Sequence, residues 1–375
     1  MTQKTEKQKV LTTQESSLLE QIKLLTKKKN LNNVTRTKAY LDFYLANTEI
    51  HWAFLGHMVS RNGGWNMTDL KGEILSRLLS KKESEWFFAF LERGNWLIFQ
   101  DVYPQFLLYQ ESRKKNKPFF YLFPFLGVSS FMETVWNYFW DHHDEYILTI
   151  GLVINEQNYL EKRVLQNPTY KKVFNSFEFK LQDILSFNHI LFPCGKKQLI
   201  GQTLHHFEVL KERISLGIRL YKVLFQDEEI LKKVKEWAVK HPHTGSRKDY
   251  WSDIFNEINE ELPRSFYQLK LQACQLRPGT RKIYSPRLEH AWKNVTHEVA
   301  EQGDWLCDWH IADFLKQNDE KINGEIKKDY CKTLERLELT ALAKKAVSKF
   351  YKNYIASKLF SSLIGILWAL IHLTG

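Results

Sequence analysis

LHHFEVLKERISLGIRLYKVLF (residues 204–225) decides the fold class, because its apolar side chains recur every three or four residues. The series runs Phe207, Leu210, Ile214, Ile218, Tyr221 and Phe225. Side chains at these intervals share one face of an α-helix, so the stretch is predicted to be a helix with one buried face. Asp227 then predicts the cap of a second helix, which must end at His241-Pro242 because a residue before proline avoids helical geometry.

Helical spacing also dominates the chain on either side of this stretch. Residues 37–59 mix apolar and polar side chains without the alternation of a strand. The predicted helix boundaries fall at glycine, proline and hydroxyl residues: a break at Arg61-Asn-Gly-Gly, a C-cap at Gly94, a kink or new start at Pro104, and a capping box at Ser130–Glu133.

Composition agrees with a folded, helical chain. The 375 residues are 43% hydrophobic, which is ample material for a core, while 16 Gly and 9 Pro imply few turns. We therefore predict an all-α fold, a large multi-helix domain with a long C-terminal helix that ends in an apolar tail. Its parts are a Lys-rich N-terminal arm with a loosely attached helix (1–32), a helical Trp-rich domain (33–347) and a basic-flanked apolar tail (348–375).

The tail carries the strongest prediction of location. LFSSLIGILWALIHLTG (359–375) is apolar on every side, lies near the short limit of about 17 to 25 residues for a membrane span, and follows five lysines between 344 and 358. This pattern predicts a C-terminal transmembrane anchor that holds a cytoplasmic domain against anionic membrane lipid. Small residues at Ser361, Gly365 and Ala369 would permit self-association of the tail helix. The alternative is a terminal helix buried in the core.

The formal net charge of +11 favours anionic partners: nucleic acid, phosphorylated ligands or an anionic membrane. Nucleic acid is the weaker choice, because the basic residues are dispersed and many aromatics lie in apolar runs typical of a core. The four cysteines are widely spaced and form no zinc or disulfide pattern, so we interpret them as reduced thiols of a cytosolic protein.

Several short segments place an arginine or lysine beside glycine or a hydroxyl residue. Such loops suit oxyanions, since backbone amides and the guanidinium fork both match phosphate or carboxylate. The candidate anion-binding residues are Arg36, Arg61, Arg247, Lys248, Arg281 and Arg287. We expect charge reversal at Arg247 and Arg281 to abolish binding of a phosphate-bearing ligand and to leave the fold intact. The alternative is that each arginine pairs with a local acid, because no phosphate-loop spacing accompanies these segments.

Histidines and carboxylates supply a second set of candidates. His241, His243 and Glu156 would serve a soluble hydrolase if the fold gathered them into a cleft with displaced pKa values. For the pairs Glu156/Glu161 and Glu92/Asp101, solvated or ion-paired roles are the expected ones. The remaining histidine pairs match no metal-ligand template, so neither a metal site nor a cofactor is predicted.

Six stretches of the sequence, most of them containing tryptophan or histidine, resemble one known family. They are RTKAYLDFYL (36–45), HWAFLGHMVSRNGGWNMTDLKG (51–72), FLERGNWLIFQD (90–101), NHILFP (188–193), HPHTGSRKDYW (241–251) and IYSPRLEHAW (283–292). Together they are similar to the YppC-like family of uncharacterised proteins from Bacillus and related Firmicutes, over about residues 33 to 346. The resemblance implies a Gram-positive bacterial origin and no established activity. The residues themselves favour a membrane-associated binding module, with the hydrolase and a soluble polyanion-binding module as alternatives.

Overall fold

A computed structural model describes residues 11–167, 189–195, 198–204, 206–260, 268–300, 315, 321–324 and 334–344. Its helices are α1 (Thr13–Lys29), α2 (Asn33–Ala46), α3 (His51–Asp69), α4 (Leu75–Leu78), α5 (Lys81–Lys115), α6 (Ser130–His142), α7 (Glu145–Leu160), α8 (Leu210–Phe225), α9 (Glu228–Lys240) and α10 (Leu288–Ala291). Residues 334–344 are also helical. Short 3₁₀ turns occupy Phe120–Leu126 and Arg247–Asp249, and a π-turn, Glu161–Leu165, extends α7.

The prediction of a mostly helical fold is confirmed, but short strands correct the strict all-α assignment. Antiparallel pairs join β1 (His189–Pro193) to β2 (Leu199–Thr203) and β4 (Leu271–Gln272) to β5 (Gln275–Leu276). A parallel pair joins β3 (Phe255–Asn256) to β6 (Ile283–Tyr284). Strands this short carry too few residues for an alternating pattern to be recognised.

The stretch that decides the fold class is helical, although α8 begins at Leu210 rather than at residue 204. Ile214 and Tyr221 are buried, as the spacing predicts. The cap of α9 is confirmed: Asp227 Oδ1 accepts hydrogen bonds from the amides of Glu229 (2.8 Å) and Ile230 (3.2 Å). The helix ends at Lys240, directly before His241 and Pro242.

Helix α5 runs without interruption through Gly94 and Pro104, so the predicted C-cap at Gly94 and the predicted new start at Pro104 are wrong. Its start is set by Ser80, whose side chain and that of Glu83 form a capping box. The apolar face of the helix is buried on both sides of the glycine and the proline. Tertiary packing of that face outweighs the local cost of both residues.

Helix α3 likewise continues through Arg61-Asn-Gly-Gly, so the predicted break is wrong. A side chain at Gly64 would collide with Asn33 and with His243, which both press against the helix backbone there. This glycine therefore serves close approach of neighbouring segments rather than a turn.

Two further helices differ from prediction. Helix α1 is longer than the predicted piece 18–25, and its Leu18, Leu19 and Ile22 are buried in the common core, so it is not loosely attached. Helix α6 begins one residue earlier than the predicted capping box implies, because Ser129 is its N-cap.

The cysteine prediction is wrong at one position. Cys194 is a buried free thiol, but Cys274 is disulfide-bonded.

Among the described residues, no helix combines the length and the apolarity that a membrane crossing needs. The predicted tail, 348–375, lies outside the described residues. The structure gives the transmembrane anchor no support, and it stays a prediction.

Candidate functional site

A cavity of about 120 Å³ lies between α2, α3, α5, α7, α8 and β1, and we call it the interhelical cavity. Its wall is mostly apolar, with a few polar side chains. The lining residues are Arg36, Tyr40, Trp52, Leu55, Gly56, Val59, Ser60, Asn95, Ile98, Val153, Glu156, Gln157, Ile190, Arg213, Leu216, Gly217 and Leu220. A concave apolar site with a few polar groups is the usual form of a small-molecule site.

Helices α7 and α8 meet closely at one wall of this cavity. A Cβ added at Gly217 would lie 2.5 Å from Val153 Cγ1, far inside van der Waals contact. The absence of a side chain at Gly217 therefore allows α8 to approach α7, which brings Arg213 and Glu156 to the same cavity.

Both arginines of the cavity are paired with carboxylates. Arg36 Nη2 donates to Glu92 Oε2 at 2.5 Å, and both side chains are buried. Arg213 Nη2 donates to Glu161 Oε2 at 2.5 Å, and its Nη1 donates to the carbonyl of Phe207 at 2.7 Å. Burial is the largest single influence on the pKa of Glu92 and opposes ionisation, but the charges and hydrogen bonds of Arg36 and His297 together outweigh it and lower the pKa. The positive charges of the cavity are thus neutralised within the protein.

Glu156 is the carboxyl of the cavity that has no ion pair among the described residues. Its Oε1 accepts one hydrogen bond, from Gln157 Nε2 at 3.1 Å. Burial raises its pKa from 4.5 to about 8, and the negative charge of Asp101 adds to the rise. The indole N–H of Trp52 lies near enough to oppose the rise, although its contact does not meet hydrogen-bond geometry. At neutral pH, Glu156 is therefore mostly protonated.

Asp101 lies behind the cavity wall in a buried polar network. Its Oδ2 accepts from Asn155 Nδ2 at 2.6 Å and from Gln105 Nε2 at 3.1 Å. Trp136 and Ser129 complete the network by donating to Gln105 Oε1 and to Asn155 Oδ1. Burial raises the pKa of Asp101 to about 7 despite these bonds. The pKa values of two neighbouring carboxyls, Asp101 and Glu156, are thus raised toward neutral pH. Shifted pKa values of this kind are frequent at ligand sites.

The predicted anion-binding residues do not converge on one pocket. Arg36 lines the interhelical cavity. Arg61 is fully buried, where its Nη1 donates to the carbonyl of His241 at 2.7 Å and its guanidinium lies 4.5 Å from the ring centroid of Trp237. Burial lowers the pKa of Arg61.

Arg247 is also internal. Its Nε donates to Asp69 Oδ2 at 2.5 Å, and its guanidinium lies 4.1 Å from the ring centroid of Trp65. Burial raises the pKa of Asp69, while the charge of Arg247 opposes that rise. This pair ties the loop after α9 to the end of α3.

Two of the predicted basic loops do meet at the surface. Lys248 Nζ lies 3.6 Å from Glu257 Oε2, and Arg287 Nε lies 3.0 Å from the same oxygen. The two basic side chains are each 42% exposed. Arg281 is exposed and donates to the backbone carbonyl of Glu260. Arg287 Nη1 also lies 3.6 Å from Glu289 Oε1, so the surface holds two cations and two carboxylates.

Neither predicted histidine lines the interhelical cavity. His241 is exposed, with its Nδ1 donating to the carbonyl of Trp237 at 2.8 Å. His243 is buried, and its Nε2 lies 2.8 Å from Asn33 Oδ1. Because Asn33 Nδ2 donates to the carbonyl of Ser60, its oxygen faces His243, so Nε2 carries the ring proton. Burial lowers the pKa of His243, which favours this neutral form.

The sequence indicates Glu156 as a candidate, but it does not indicate the residues that surround Glu156 in the cavity. Arg213 lies in α8 beside the repeating apolar residues, and nothing in its local sequence marks it as functional. The aromatic side chains of Tyr40 and Trp52 are indistinguishable from core residues by spacing. Within the described ranges, no group of three potential metal ligands is present.

Comparison with known proteins gives a family without an assigned activity. A family model described as "Protein of unknown function (DUF2515)" matches residues 28–331. The uncharacterised protein YppC of Bacillus subtilis (strain 168) is 43% identical over 233 residues, which are 62% of this chain and 72% of that protein. The predicted resemblance to the YppC-like family is thereby confirmed, and the family model ends at residue 331 rather than near the predicted end at 346. No solved structure matches the chain.

Proposed function

The chain belongs to the DUF2515 family of proteins of unknown function, and from its geometry we propose that it binds a small organic molecule in the interhelical cavity. One observation carries the proposal. Glu156 is a protonated carboxyl that lines a mostly apolar cavity and lacks a charged partner among the described residues. Burying such a group costs stability unless something compensates, so its place in a cavity favours a role in binding.

The volume of the cavity limits the ligand. An apolar cavity of about 150 Å³ holds benzene, so a cavity of about 120 Å³ suits a somewhat smaller molecule. Its apolar wall would contact the body of the ligand, and its few polar groups would contact one polar group. A phosphorylated nucleotide is far too large for this volume.

The test fills the cavity without touching Glu156. Val59→Phe adds a ring at the lining, and Val239→Phe adds the same ring at an exposed position of α9 as the matched control. We expect isobutanol to show saturation transfer from the wild type and from Val239→Phe, and to lose it in Val59→Phe. Circular dichroism checks that each variant is folded. Equal transfer from all three proteins would refute the cavity as the binding site.

The predicted tail anchor is retained as a proposal about location. The apolar stretch 359–375 and the lysines before it support membrane attachment by their pattern alone. Fractionation of the full-length protein and of a version ending at Ser357 tests it. We expect only the full-length protein in the membrane fraction, and its recovery in the soluble fraction would contradict the proposal.

A further inference from the structure

We infer that the ligand of the interhelical cavity is a small organic cation, an amine whose ammonium group lies against Glu156 and displaces the proton of that carboxyl. The inference rests on the proposed function and names the chemical class of the ligand. It is carried by the distribution of charge and of aromatic rings around the cavity.

The charges of the cavity are already balanced except at Glu156. Arg36 is paired with Glu92, and Arg213 is paired with Glu161, each at 2.5 Å. With Glu156 protonated, the group as a whole is neutral. An anionic ligand would leave a net negative charge in a buried site, whereas an ammonium group paired with ionised Glu156 restores neutrality.

Each element around Glu156 contributes to this balance. Helix α2 presents Arg36 and Tyr40, and α8 presents Arg213. Helix α5 contributes the charge of Asp101 from behind the wall, and α7 itself contributes the uncharged amide of Gln157. Among the described residues, the charge that acts on Glu156 is therefore that of Asp101, which is negative and favours a cation.

Tyr40 and Trp52 both line the cavity, and aromatic rings suit an ammonium group. Their centroids are 5.3 Å apart, and their planes meet at 82°, so the two rings form an edge-to-face corner of the lining. Aromatic faces attract organic cations, most strongly where water is excluded. A carboxylate beside such a corner combines both modes of cation recognition.

One observation favours the opposite charge. Arg36 Nε is buried and has no hydrogen-bond partner, so it would suit an acceptor oxygen of the ligand. Because the guanidinium is already neutralised by Glu92, this nitrogen offers a single hydrogen bond and no surplus charge. An anion is therefore the competing outcome in the experiment.

The experiment compares three probes of one shape: isobutylammonium, isobutanol and isobutyrate. Titration calorimetry at pH 7, repeated in buffers of different ionisation enthalpy, gives each affinity and the number of protons released. We expect isobutylammonium to bind at least about tenfold more tightly than isobutanol, as one charged hydrogen bond implies. Its binding should release a proton at pH 7 and release none at pH 9, where Glu156 is already mostly ionised.

Two substitutions separate the role of Glu156 from that of its neighbour. Glu156→Gln should remove the advantage of the amine and its proton release, and it should leave isobutanol binding unchanged. Asp101→Asn, the matched control, removes a nearby carboxyl that does not line the cavity, so amine binding should weaken less than in Glu156→Gln and the preference for the amine over isobutanol should persist.

The outcomes distinguish the inference of a cationic ligand from the proposed binding of a small molecule in the cavity. Tighter binding of isobutyrate, or equal binding of amine and alcohol without proton release, would overturn the cationic ligand and keep the cavity as a binding site. If none of the probes binds the wild type, the proposed function itself fails.

Discussion

The interhelical cavity and the contact between α3 and the loop 241–251 are built from the same kinds of residue, yet they differ in what is left unfilled. At the contact, hereafter the loop junction, Arg61 and Arg247 are covered by tryptophan rings, and each donates to a protein acceptor, although Nε and Nη2 of Arg61 have no hydrogen-bond partner among the described residues. In the cavity, arginines are paired with carboxylates, but a space of about 120 Å³ and the lone carboxyl of Glu156 are left over.

The difference shows what a dense cluster of arginine, histidine and tryptophan can mean. In the loop junction, burying Arg247 requires Asp69, and the stacked ring of Trp65 shields the pair from water. Such a cluster holds two segments together. The cavity lies among residues that the sequence does not distinguish from core residues. Its proposed ligand would occupy the space between the helices.

The largest expected effect comes from breaking the buried pair of the loop junction. Arg247→Met leaves Asp69 without its cation in a buried place, so the free energy of unfolding should fall by about 3 to 5 kcal/mol. Urea denaturation measures the change. Charge reversal at Arg247 should therefore disrupt the fold, contrary to the expectation from sequence that it would leave the fold intact.

Two controls bound this effect. The double variant Arg247→Met with Asp69→Asn should recover part of the loss, because it removes the stranded charge. Arg281→Met should cost less than about 0.5 kcal/mol, since Arg281 is exposed. A loss at Arg247 no larger than that at Arg281 would remove the distinction between the two regions.

The next effect concerns the pH dependence of stability at the cavity. The folded pKa of Glu156 is raised from 4.5 to about 8, so between these values the unfolded chain has released a proton that the folded chain retains. Stability should therefore be greatest at low pH for this group and fall as the pH rises from 4.5 to 8. Glu156→Gln should weaken that fall and raise the free energy of unfolding at pH 8, since each unit of pKa shift is worth about 1.4 kcal/mol.

Asp101 sharpens this comparison, because its pKa is raised from 3.8 to about 7. The Glu156→Gln protein should keep the part of the pH dependence due to Asp101, with most of the loss complete near pH 7. Unfolding in urea at pH 5, 6, 7 and 8 separates the two carboxyls. Identical slopes for the wild type and Glu156→Gln would show that Glu156 is ionised in the folded protein.

The smallest effect is expected at the surface ion pair of Arg287. Arg287→Ala removes a contact to Glu257 from a side chain that is 42% exposed, and surface ion pairs are worth about 0 to 1 kcal/mol. The free energy of unfolding should change by less than about 1 kcal/mol, and less still in high salt. A loss as large as that of Arg247→Met would place Arg287 among the buried pairs.

Local signals in the sequence predicted part of the fold. The helical spacing of 204–225, the Asp227 cap and the stop at Pro242 depend on neighbouring residues, and all three are confirmed apart from the exact start of α8. Breaks at glycine and proline were wrong, because packing of α3 and α5 overrides the local preference. Gly64 illustrates the cause: its partners Asn33 and His243 are remote in sequence.

The candidate site could be predicted only in part. The sequence predicts that Glu156 matters if the fold gathers it into a cleft, and the structure places it, partly buried, at the wall of the cavity. Its cavity is lined from six elements between Arg36 and Leu220, so no local pattern encodes it. Conversely, Arg61 and Arg247 stand in segments typical of anion-binding loops, but tertiary structure supplies Trp237 and Asp69 as internal partners.

The most direct test of a ligand site in the interhelical cavity is a titration of isobutanol into protein labelled at leucine and valine methyl groups. We expect methyl resonances of Val59, Val153, Leu216 and Leu220 to shift, since all four residues line the cavity, and those of exposed Val239 and Leu339 to stay in place. Shifts confined to exposed methyls, with the cavity methyls unmoved at saturating isobutanol, would contradict the account.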